Sequence, residues 1–443
     1  MKGRVGALGR GVCLLLIVML LSAAGCARQG APEQSPSALQ TNEAAADGEA
    51  GLVVLSADED LMSAYAKAAY EQYGVQVRLT EWSNEADEQM LLDFAAGKAT
   101  FDVVCVSNAL GYLYTADGLI DRGYFSPLSG AARVEESVAH MLPALQDCVT
   151  RDGVIYALPC GMRTKVLTYN RPLYDAKADG STERYYARTG ETVTGTWLQQ
   201  IPDRRAFSTW EELFTQMPLR DGVLASNAIL EQYILSADEE GFTFDCPQFR
   251  DALALMKQGE ALTEPTAAAP AAMDIDNAAW FSEGSGLEAN GAPVLECDDV
   301  VAPPTLDAQN RLAMAYDMLA INVFSEKQEE ALRFLECAAD VSLNGTGEPD
   351  GQSAGCIETY GAVAAAACYA DDAHVRVIAG DDPENRRRWR ELTQRLAPIT
   401  NTGYLTAFYL EIYPMYRDGA ITAEQCARMT QERYEMYRAE QGK

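Results

Sequence analysis

The chain has 443 residues, with 35 Lys and Arg against 65 Asp and Glu and a formal charge of −30. A surface this acidic repels phosphate backbones and argues against nucleic acid as a partner. The composition, 48% hydrophobic and 23% charged, is that of a folded globular chain. Only His140 and His374 supply imidazole, and no CxxC or HExxH spacing occurs, so neither a metal nor another cofactor is expected.

Lys2, Arg4 and Arg10 precede an apolar run from Val12 to Leu21, and small residues then lead to Cys26. This is the layout of a secretory signal over residues 1–25, with a run shorter than the about 20 residues that span a bilayer. Ser22-Ala23-Ala24-Gly25-Cys26 resembles a bacterial lipobox, which implies cleavage before Cys26 and diacylation of its sulfur. Residues 26–50 lack hydrophobic periodicity and read as a flexible tether. No later apolar run is long enough to span, so the expected location is extracytoplasmic, on a lipid anchor. Nine cysteines remain at irregular spacing, which is no disulfide framework; Cys105 and Cys337 sit in apolar runs and read as buried thiols.

Leu52 to Leu55 predicts a buried strand, followed by a helix to Tyr73 with Leu61, Tyr65, Ala68 and Ala69 inward and Gly74 as its stop. Val75 to Leu79 predicts a second strand. A helix capped by Ser83 or Asn84 follows, with Leu91, Leu92 and Phe94 inward and Gly97 at its end. Phe101 to Val106 is the third strand, closed by Ser107-Asn108. The alternation predicts an α/β fold built on a parallel sheet. Ligands in such sheets bind beyond the strand ends, at helix N-termini. Asp58, Asn84 and Asn108 are therefore candidate ligand contacts, and equally candidate N-caps. Val154–Cys160 and Thr164–Asn170 are two extended runs in succession, the pattern of hinge strands.

Tyr156-Ala-Leu-Pro159, Tyr169-Asn170 and Thr209-Trp210-Glu211-Glu212-Leu213 resemble, in order and spacing, bacterial extracellular solute-binding proteins, the receptor subunits of ABC importers. The FDVVCVS strand containing Asp102, the LAINVFSEKQEEALRFLE segment with a Ser325/Gln328 capping box, and the helix after Arg417 resemble the same family. The resemblance implies a two-lobed, periplasmic-binding-protein-like (type II) fold with an interlobe cleft. Residues 51–160 plus 317–375 would form lobe one, and 161–316 plus 376–443 lobe two. Crossings are expected near Cys160, Asp317 and His374. Lys177 to Phe207 exceeds the family's usual link and reads as a surface hairpin.

The implied function is capture of a small solute by lobe closure and its delivery to ABC permease subunits, by a monomer that breaks no bond. Carbohydrate is the leading class, with polyamines and organic anions as alternatives. Candidate stacking or hydrogen-bonding groups are Trp82, Trp280, Glu283, Tyr316 and Tyr409, while Arg163 beside Lys165 could meet an anion. Trp210 is expected to pack its helix and Trp389 to lie at the surface. A surface hydrolase would need Ser353 of Gly351–Gly355 on a nucleophile elbow, but the residues before it read as loop. A non-transport adhesin or sensor would keep the same fold.

Overall fold

The computed structural model describes residues 51–56, 58–108, 116–170, 178, 180, 207–216, 222–237, 241–261, 273–277, 298–344, 365–379, 383–399 and 404–440. Cys26, Trp280, Glu283, Ser353 and nearly all of the 177–207 stretch lie outside them. Residues Ala50–Lys443 form one compact unit.

The chain opens with β1 (Leu52–Ser56), the helix Glu59–Tyr73, β2 (Val77–Glu81), the helix Asn84–Ala96 and β3 (Val103–Ser107). β1 lies between β2 and β3 and is parallel to both. Local chemistry sets the helix ends. Asp58 accepts from the Leu61 N–H at 2.8 Å, and Ser83, not Asn84, caps the second helix through the Ala86 N–H at 3.1 Å. Gly74 and Gly97 close the two helices at φ of +69° and +64°, the left-handed region that a side chain resists. Leu92 departs from expectation and is 64% exposed. The inward face runs through Met90 and Phe94, four residues apart, and Phe94 stacks on Tyr124 with ring centroids at 4.8 Å. A residue two positions from either points the other way.

Further along come the short strands β4 (Thr150–Arg151) and β5 (Val154–Ile155), then the long β6 (Leu158–Asn170). β7 (Met273–Asn277), β8 (Asp298–Val301), β9 (Leu312–Ile321) and β10 (Leu396–Pro398) complete the strands. The main sheet runs β2-β1-β3-β9-β6-β7, with β10 on β9 and β8 on β6. β9 is antiparallel to both β3 and β6.

The sheet serves two separate hydrophobic cores. The first gathers β1, β3, most of β9 and the helix Gln328–Asn344. The second gathers Trp210, the helices Gly222–Ile234 and Pro247–Ala261, and Phe408, Tyr413 and Tyr434. Trp210 packs as expected and donates its indole N–H to Gln232 at 3.2 Å. Trp389 does not stay at the surface; it is buried with Asn385 and Leu392 on the inner face of the helix Pro383–Thr393. The outer face of that helix carries the ion pairs of Arg387 with Glu384 and Glu391 and of Arg390 with Asp372.

Asp102 ties the first core together. Its carboxylate accepts from the Val53 N–H at 2.9 Å and the Ser325 hydroxyl at 2.6 Å, with Lys327 Nζ at 3.6 Å. Because Ser325 donates to Asp102, the expected capping box is altered. Ser325 Oγ takes the Lys327 N–H, and the Gln328 amide donates to the carbonyls of Asn322 and Ser325. The seven described cysteines are free thiols, and among the described residues no helix is long and apolar enough to cross a membrane.

Two stability measurements check this account. Asp102→Ala strands the Val53 N–H and the Ser325 hydroxyl, and denaturant melts should show a loss of about 1–3 kcal/mol. Asp371 opposes its own burial with N–H groups from Ala373 and His374 and with the His374 ring, and the sum holds its carboxyl below the usual range. A lowered carboxyl stabilises the fold above its unfolded value and loses that contribution as pH falls. Asp371→Asn should lower the melting temperature at neutral pH, and the gap to wild type should close below about pH 4.

Candidate functional site

Three segments contribute side chains to both cores. On β6, Met162 and Val166 belong to the first core and Leu167 to the second. On β9, Ala313 belongs to the second core, whereas Leu312, Met314, Tyr316 and Met318 belong to the first. In the last segment, Leu396 is in the first core and Ile399 in the second.

Side chains alternate along β6. Met162, Thr164 and Val166 are buried on one face, which turns Arg163 and Lys165 to the other. Arg163 stands beside Ala315 in the register. That small neighbour lets it reach diagonally to Asp317, with Nη1–Oδ2 and Nη2–Oδ1 both 2.8 Å. Nη2 also donates to Ser107 Oγ at 3.3 Å. Two residues on, Lys165 Nζ meets Glu231 Oε1 at 3.4 Å.

Glu231 is the sole charge in the helix Gly222–Ile234 and is 4% exposed. Burial pushes its carboxyl up, while Lys165 and then Arg163 pull it back. Tyr409 is presented by a π-helical turn, Phe408–Ile412, a local widening that recurs at functional sites. Its hydroxyl is buried and makes no hydrogen bond within the described residues. Burial holds the phenol well above its ordinary value, and the nearby Glu231 adds to that. Arg163, Lys165, Glu231 and Tyr409 thus form one polar wall where β6 enters the second core. Each cation in it has a carboxylate partner.

Arg163 and Tyr409 are the expected site residues that meet here, through Glu231. Asn108 is fully buried: its Nδ2 donates to the Ile399 carbonyl at 2.8 Å and its Oδ1 accepts from the Tyr316 N–H at 2.5 Å. Tyr316 faces the first core, on the side of β9 opposite the Arg163 wall, with Cys148 and Asp117 around its phenol. Trp82 lies half-buried against the first core, and Asp58 caps its helix. Asn84 begins the second helix. Glu231 was not singled out from the sequence, although a lone carboxylate in an otherwise uncharged helix was the available signal.

A separate hollow of about 640 Å³ adjoins the second core, lined by Gln232, Tyr233, Phe242, Asp251 and Leu306 among others. Its buried polar group, Gln232, is already committed to the Pro304 carbonyl, the Trp210 indole and the Leu306 N–H. Among the described residues no group of three or more His, Cys, Asp or Glu is placed to hold a metal ion.

Residues 56–203 match the family model described as bacterial extracellular solute-binding protein. That match covers about a third of the chain. Solved structures share its fold. The GacH receptor of Streptomyces glaucescens superposes with a TM-score of 0.59 at 14% identity, covering 87% of this chain and 97% of that one. The substrate-binding protein Lmo0181 from Listeria monocytogenes, in complex with cycloalternan, gives 0.56 at 13% identity, covering 88% and 98%. Maltose-bound MalE3 of T. maritima gives 0.56 at 15% identity, covering 87% and 99%. No curated protein sequence matches the chain. The α/β sheet with two cores is thus a fold shared with these structures.

The wall makes a direct prediction. Lys165→Met leaves Glu231 buried without its nearest cation and should cost about 3–5 kcal/mol in denaturant melts. Adding Glu231→Gln should recover most of that loss, and a double-mutant cycle measures the coupling.

Proposed function

We propose that the chain is an extracytoplasmic receptor that captures an uncharged, hydroxyl-rich solute, a carbohydrate foremost, between two lobes and delivers it to the permease subunits of an ABC importer. The observation that carries the reading is the polar wall at the crossings. Its charges are matched pairwise, Arg163 with Asp317 and Lys165 with Glu231, and beside them stands a buried Tyr409 hydroxyl without a hydrogen-bond partner among the described residues. Fixed donors and acceptors without surplus charge suit hydroxyl groups better than a carboxylate or an ammonium. Similar structures have been solved in complex with acarbose, cycloalternan and maltose, which supports the class.

In this reading the lobes are built around the two cores, and the last boundary, expected near residue 375, falls instead between Leu396 and Ile399, because Trp389, Leu392 and Leu396 pack in the first core. Closure is a population shift driven by tighter binding to the closed form, and no bond is broken. Trp82, Trp280 and Glu283 remain candidate contacts at the rim. In the same reading the mature chain is a monomer carried on a lipid anchor at Cys26, a proposal that rests on the signal-like residues 1–25.

Thermal melts against oligosaccharides, polyamines and organic acids test the reading. A solute at about 100 times its dissociation constant adds about 2.7 kcal/mol, a rise of a few degrees. An oligosaccharide should produce it, and Tyr409→Phe should shrink the rise while leaving the unliganded melt nearly unchanged. A rise with a polyamine or an organic acid alone would replace the carbohydrate assignment.

A further inference from the structure

We infer that the C-terminal end of β3, Ser107-Asn108, is a fulcrum that makes the three crossings between the cores bend as one unit. β3 itself belongs wholly to the first core, through Val103, Val104 and Val106. Its last residue and the next one reach all three crossings.

The ties are specific. Ser107 Oγ accepts from Arg163 of β6 at 3.3 Å, and that same guanidinium grips Asp317 of β9. Asn108 holds β9 from both sides of one peptide position: its backbone N–H donates to the Tyr316 carbonyl at 3.1 Å, and its Oδ1 accepts from the Tyr316 N–H. Its Nδ2 reaches the third crossing at the Ile399 carbonyl, and the Ile399 N–H returns to the Met314 carbonyl at 3.2 Å. Thr164 adds a link from β6 to the Ala313 carbonyl at 2.8 Å. Asparagine suits this place because one short side chain must donate and accept at once. With 0% exposure and both ends of its amide committed, Asn108 is a positioning residue and not a ligand contact.

The consequence is mechanical. Three strands bending independently would let the second core wobble about several axes. Pinned to one point on the first core, they share one axis, so closure presents the same cleft geometry each time.

The inference rests on the two-lobed reading, but its test needs no solute, so its failure is distinguishable from failure of the carbohydrate assignment. Hydrogen–deuterium exchange is followed in the full chain and in Asn108→Ala. Amides of β9 and of residues 396–399 should exchange about tenfold faster together, the scale of a lost hydrogen bond. The helices Glu59–Tyr73 and Ala423–Glu440, one from each core, should keep their protection. Ser107→Ala, a milder change, should loosen β6 alone. Acceleration confined to Tyr316 would overturn the fulcrum, as would a uniform rise across both cores, which is what a merely structural asparagine would give. If Asn108→Ala does not fold, Asn108→Ser is read by the same criteria.

Discussion

The antiparallel pairing of β6 with β9 is the constraint on which the rest depends. Both strands supply side chains to both hydrophobic cores, so their backbones must be satisfied by each other in the stretch they share. Pairing from Leu158–Leu319 to Thr164–Met314 does this, with an irregularity between Pro159 and Gly161. It also fixes the faces. Once Met162 and Tyr316 point into the first core, Arg163 and Asp317 must emerge on the other side, where they find one another. The polar wall is thus a by-product of register, and a slip of one residue would bury the guanidinium instead.

Electrostatics then decides what that wall can do. A lone Arg163 and Lys165 would invite an anion. The companion carboxylates convert the pair into a neutral array of oriented donors and acceptors. Glu231 is the least comfortable member, because its helix is otherwise uncharged and its burial works against ionisation. Such a group keeps its charge only while its cations stay close, which couples the second core to the crossing strand.

Much of the fold was legible in the sequence because its signals are local. Asp58, Ser83, Gly74 and Gly97 act within a turn of their own positions, and the strands β1 and β3 announce themselves by unbroken apolar runs. The misreadings share a cause. Leu92 and Trp389 sit on helices whose inward phase is set by what they pack against, Tyr124 in one case and a fence of ion pairs in the other. The candidate site was less legible still. Lys165 and Glu231 are 66 positions apart, and Asn108 and Ile399 are 291 apart, so no local pattern brings them together. Asn108 was visible as a strand-end polar residue, but its bonds to Tyr316 and Ile399 were not.

The free cysteines have a consequence of their own. Cys148, Cys337 and Cys426 are buried, and burial pushes their thiols up to about 12, about 11 and about 12. Cys160 is raised as well, by its contact with Cys105 at 3.7 Å and by burial. Only the thiolate attacks a disulfide or an alkylating reagent, so these side chains are chemically quiet while the cores are closed. The described fold is therefore held without a disulfide among its seven described cysteines. The same silence makes the thiols built-in reporters: they become reactive only in molecules whose cores have opened, so a labelling rate at these positions counts openings of the first core and of the second.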